Sequence, residues 1–155
     1  MIDNTIYQNP LNTRYASREM QENFGDEKRF RLWRKLWIAL AESEMELGLP
    51  ITQAQVDEMK AHADDIDFER AEAYERQVRH DVMAHVKTFG DAAPLAAPII
   101  HLGATSCFVD CNSEVIIMKD GLDIILRKLV NVMDKLKKFA LKYKDLPTLG
   151  FTHLQ

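Results

Sequence analysis

The sequence predicts an all-α protein, and three observations carry that expectation. Only six glycines and five prolines punctuate its 155 residues. Most apolar residues recur at spacings of three and four, the period of one helix face. In the second half, Val115, Met118, Leu122, Ile125, Leu129, Val132, Leu136, Phe139 and Tyr143 hold that spacing as one heptad seam.

After an irregular opening, Ser17 is placed to cap a helix. A long helix is expected from about Asp26, as N-cap, to Gly48, a C-terminal glycine followed by Pro50. Phe30, Trp33, Trp37 and Leu40 mark its apolar face. Thr52 and Gln55 have capping-box spacing and open a short helix to about Ala63. A further helix is expected from near Asp67 through "RHDVMAHV" to just before Gly90. The stretch 91–112 has two prolines and no long period, so it reads as a connector between two modules.

From about Ser113 a helix of about 30 residues would span about 45 Å. Leu126, Val130, Met133 and Ala140 lie beside its seam, so the apolar face is wider than a two-stranded coil requires. The expected division is 1–111, a helical domain, and 112–155, the start of a helical bundle. A non-catalytic coiled-coil interaction module is one reading of that seam.

Composition limits the classes of function. Residues are 46% hydrophobic and 28% charged, as in ordinary soluble globular proteins. Twenty Lys and Arg against 24 Asp and Glu leave a net charge of -4, which argues against a nucleic-acid partner. No run approaches the roughly 18 apolar residues of a membrane span. The opening "MIDNTIYQNP" has no basic and apolar regions of a secretion signal, so a cytoplasmic location is expected. Cys107 and Cys111 are too few for a disulfide framework and read as two reduced thiols.

Three clusters carry more polar chemistry than their surroundings need. In "NTRYAS", the Arg14 fork and Tyr15 hydroxyl before a helix start could hold a phosphate, although a surface Arg and a packing Tyr are the simpler reading. In "VRHDVMAHV", His80 and His85 are five apart and do not share a helix face as a zinc pair would. Asp81 and His85 are four apart, the spacing of an ordinary helix-surface hydrogen bond. A His-Asp pair also occurs in helical metal-dependent phosphohydrolases, a rival reading that would need further ligands such as His62 and Asp134. In "HLGATSCF", Gly103 to Ser106 form a small-residue turn able to receive a carboxylate or phosphate, but also ordinary loop sequence. The closing "TLGFTHLQ" looks built for a specific, buried position rather than a polar end.

Taken together and in order, "TRYAS", "RHDVMAHV", "HLGATSCFVDCN" and "LPTLGFTHLQ" resemble successive signature segments of the adenylosuccinate lyase family, within the fumarase/aspartase superfamily. The resemblance extends to "FRLWRKLWIALAESEMELGLPIT" and "IDFERA", and so covers nearly the whole chain. It implies an all-α homotetrameric lyase of purine nucleotide biosynthesis that uses no metal or organic cofactor. That family releases fumarate from adenylosuccinate, giving AMP, and from the succinylated aminoimidazole carboxamide ribotide.

By the same resemblance, Arg14 and Tyr15 hold the substrate phosphate. Arg79, His80 and Asp81 contact and orient the nucleotide, and Thr105 and Ser106 bind the succinyl part. Thr152 is a further contact, and His153 the catalytic general acid or base. The family's mobile loop with a catalytic Ser has no counterpart here. The chain is therefore expected to be an N-terminal portion, inactive alone, whose long helix is the first of the bundle.

Overall fold

A computed structural model describes residues 7, 9–150 and 153. Among the described residues there are six α-helices and no strand, in agreement with the expected class. They are α1 (Arg18–Asn23), α2 (Asp26–Glu46), α3 (Gln53–Ala61), α4 (Phe68–Val78), α5 (Asp81–Ala92) and α6 (Ser106–Tyr143). A π-type turn, Leu11–Tyr15, precedes α1. The chain divides into two compact units, Met1–Asp120 and Gly121–Gln155.

Local chemistry explains most of the helix ends. Ser17 caps α1 by accepting the Met20 amide. Thr52 and Gln55 form the expected capping box on α3, and Asp67 caps α4 by accepting the Arg70 amide. At the end of α2, the Leu49 amide donates to the Glu44 carbonyl and the Gly48 amide to that of Met45. These are the two bonds of a Schellman ending. Its left-handed position falls on Gly48, with φ at 86°, where a side chain would be strained.

The core of the first unit is built on α2. Trp33, Trp37, Ile38 and Ala41 meet Val56 and Met59 of α3, Val82 and Phe89 of α5, and Val109 of α6. Trp33 Nε1–H donates to Ser113 Oγ at 3.1 Å, so the one polar atom of that ring is satisfied inside the core. Two wider links fasten α1 and α2 to α6. Asn23 Nδ2–H donates to the Ile117 carbonyl at 2.9 Å, and Lys28 donates to both Asn23 Oδ1 and Asp120.

Two expectations about helix extent are corrected. No single helix runs from Asp67 to Gly90: Arg79 turns left-handed, with φ at 52°, and separates α4 from α5. The Arg79 amide closes α4 on the Glu75 carbonyl, while His80 becomes the N-cap of α5. The long helix begins at Ser106 rather than about Ser113, because Val109, Ser113 and Ile117 form a buried face at helical spacing. In the second unit, Gly121–Gln155, the seam residues from Leu122 to Tyr143 are exposed, as are their neighbours Leu126, Val130 and Met133. No helix is long and apolar enough to cross a membrane among the described residues.

Candidate active site

The α4–α5 junction turns three polar side chains into a compact group. Because Arg79 breaks the helix, His80 stands outside α5 instead of along its surface. His80 Nδ1 lies 3.5 Å from the Met83 amide and 3.4 Å from Asp81 Oδ1. Asp81 Oδ1 also accepts the Val82 amide at 2.8 Å. Two first-turn amides of α5 are thereby occupied by the chain itself.

The first turns of α6 and the loop before it face this junction. Asp110 interacts with Asp81, Glu114, Arg29 and His80; burial, followed by the two neighbouring carboxylates, raises its pKa above the ordinary aspartate value. Ser106, the first residue of α6, is one helical turn before Asp110, so the chain passes from Thr105 into the helix on that side. Thr105 is exposed and Ser106 half-buried, and the Thr105 carbonyl accepts the Phe108 amide.

His101 is a member of the group that sequence reasoning missed. It is left-handed, with φ at 68°, and its Nδ1 accepts from Trp37 Nε1–H at 2.9 Å. Since an indole N–H only donates, that bond fixes the tautomer with the proton on Nε2. Burial first, then the positive field of His80, lowers its pKa. The available signal was "IIHLG", a His two residues before a Gly, which carries little information without knowledge that Trp37 lies beneath it.

Arg14 and Tyr15 sit at the exposed end of the π-type turn, the guanidinium 5.5 Å from the phenol ring centre. The bonds holding this turn run to α1, with Gln21 Nε2–H donating to the Asn12 and Ala16 carbonyls. His153 belongs to the second unit and is exposed with φ at 45°, while Thr152 lies outside the described residues. A concavity of about 880 Å³ is bounded by Asp64, Asp67, Arg70 and Asp91 and includes none of the expected site residues.

The expected Asp81–His85 surface bond is replaced by burial. His85 points into the core, stacked on Phe30 with ring centres 3.8 Å apart, and its Nδ1 has no partner. Its pKa is lowered to about 4, by burial first and then by the buried Arg34. The metal reading finds no support in the arrangement. His62 pairs with Asp65 at 2.7 Å and Asp134 with Lys138 at 2.6 Å. Among the described residues no three His, Cys, Asp or Glu side chains converge as a metal site would require.

No family model matches the chain. It is 56% identical over 149 residues to an adenylosuccinate lyase of Schistosoma mansoni, covering 96% of this chain and 31% of that protein. It is 54% identical over 158 residues to one of Saccharomyces cerevisiae, covering 100% of this chain and 33% of that protein. A more distant similarity, 30% over 147 residues, is to the Pyrococcus abyssi protein of the same name, covering 94% of this chain and 33% of that protein. The chain spans about a third of the length of the curated relatives it matches.

Proposed function

We propose, from the premise that this chain is homologous along its whole length to the adenylosuccinate lyases, that it is the N-terminal portion of a lyase forming fumarate by β-elimination. Its substrates are adenylosuccinate, which yields AMP, and the succinylated aminoimidazole carboxamide ribotide. The observation that carries this reading is identity above half to two relatives of that name across nearly all of the chain.

The roles are those the resemblance implies, and the chemistry of the reaction is consistent with them. A base removes a proton from the carbon beside a carboxylate, and an acid protonates the departing nitrogen. His153 serves as general acid or base, with Thr152 beside it in sequence as a substrate contact. Thr105 and Ser106 hold the succinyl carboxylate, where their hydroxyls stabilise charge as the carbanion develops. Arg79, His80 and Asp81 orient the nucleotide, and Arg14 with Tyr15 grips its phosphate. The ring Nε2–H of His101, set by its bond to Trp37, adds a neutral donor beside His80.

No metal or organic cofactor enters this scheme. The domain reading of 1–111 and 112–155 accompanies it, as do a cytoplasmic location and a homotetramer. The exposed seam of α6 supports association, since Leu122, Leu129 and Leu136 are each more than half exposed. The test is an assay of the complete protein with adenylosuccinate. His153→Ala should lower kcat by about 10²–10⁴-fold, and undiminished turnover would overturn the assignment.

A further inference from the structure

Cys107 and Cys111 lie four residues apart on the first turns of α6, on one side of the helix. Both are exposed, and their side chains lie within hydrogen-bond reach of each other. Neither thiol has a place in the proposed reaction. Two sulfurs already in hydrogen-bond contact are preset to share one atom larger than a proton.

A disulfide is a poor match to this geometry. Residues four apart on a helix hold their Cβ atoms about 5–6 Å apart, whereas a disulfide brings them to about 3.8 Å. An inserted soft atom relieves that constraint: with bonds of about 2.3 Å to each sulfur it spans roughly 4 Å between them. Thiolate pairs select soft ions over hard ones.

We propose that Cys107 and Cys111 form a two-sulfur chelating site for a thiophilic element of low coordination number, trivalent arsenic being the class that fits. With a phenylarsine oxide probe the step balances without oxidant. Two S–H bonds and the arsenic–oxygen bond break, two arsenic–sulfur bonds form, and water leaves with both thiol protons. Arsenic stays trivalent and the sulfurs stay reduced. The Cys107 sulfur first, then burial and the Asp110 and Glu114 carboxylates, raise the Cys111 pKa, so Cys111 enters the step as a thiol and gives its proton to the water formed.

The test uses the 155-residue chain, phenylarsine oxide and mass spectrometry, with thiol counting. The expected product carries one phenylarsenic group and no titratable thiol. Because the second thiol acts at an effective concentration in the millimolar range or above, release into glutathione should be on the order of a hundredfold slower than from either single variant. A small 1,2-dithiol should strip it. Cys107→Ser and Cys111→Ser change exposed positions, and an unchanged helical circular dichroism signal confirms their fold. Release from the unsubstituted chain as fast as from a variant, or glutathione-resistant capture by either variant, would overturn the two-sulfur site.

Discussion

His85 is the residue whose environment departs furthest from what its neighbours in sequence suggest. Stacked on Phe30 and edge-on to Trp33, it is held neutral, with Arg34, Asp81 and Asp26 as the charges that bear on it. Its folded pKa of about 4 is below the unfolded value near 6.5, so the unfolded chain binds more protons between those limits. Stability from this group is complete above about pH 6.5 and is lost as pH falls toward 4, by up to about 3 kcal/mol. Urea midpoints measured across that window should show the slope, and His85→Leu should flatten it. Arg79 offers a second check at this scale. A non-glycine residue in the left-handed region costs about 1–2 kcal/mol. Arg79→Gly should therefore hold or raise the urea midpoint and, under the proposed function, weaken nucleotide binding by the complete protein. A large loss of stability would mean that the Arg79 side chain itself secures the junction. Neither position was legible beforehand. The string "RHDVMAHV" continues a helical pattern, and only the packing of α5 on α2 decides that the chain must break before His80.

At the scale of elements, the caps at Ser17 and Thr52 were readable because they join residues three apart. Asp26, expected as an N-cap, is instead the first residue of α2 behind Gly25, which caps with no side chain. Thr52 Oγ1 accepts the Gln55 amide while Gln55 Oε1 accepts the Thr52 amide, and Gln55 Nε2–H reaches the Leu95 carbonyl. Thr52→Ala should cost about 1 kcal/mol. Gln55→Ala should cost more, since it removes a long-range bond besides the cap, and thermal unfolding of the two variants compares them directly. The start of α6 was missed for a related reason. Its first buried face contains Ser113, whose hydroxyl counts as polar in a periodicity search but is satisfied by Trp33 and by the Asp110 carbonyl. The exposed seam further along was found at once, because nine residues keep its period without interruption.

At the scale of the molecule, the two units differ in what holds their helices. In Met1–Asp120 the helices share a core of tryptophans and aliphatic side chains, crossed by the buried Arg34, whose guanidinium lies 3.8 Å from the Phe89 ring centre. In Gly121–Gln155 the side chains after Ile124 are exposed through Tyr143. Helical amides of 127–143 should then exchange with solvent on the order of a hundredfold faster than those of α2. Equal protection in hydrogen exchange would show that α6 finds cover in solution. By itself the sequence determined the helical class, the caps at Ser17 and Thr52, the helix start near Asp67, the seam of α6 and ordered segments that resemble those of a lyase family, since each is written in residues a few positions apart. The tertiary structure alone decided the break at Arg79, the neutrality of His85 and the meeting of His101 with Trp37 and His80. Those depend on which distant side chains exclude water from one another, and no local spacing records that.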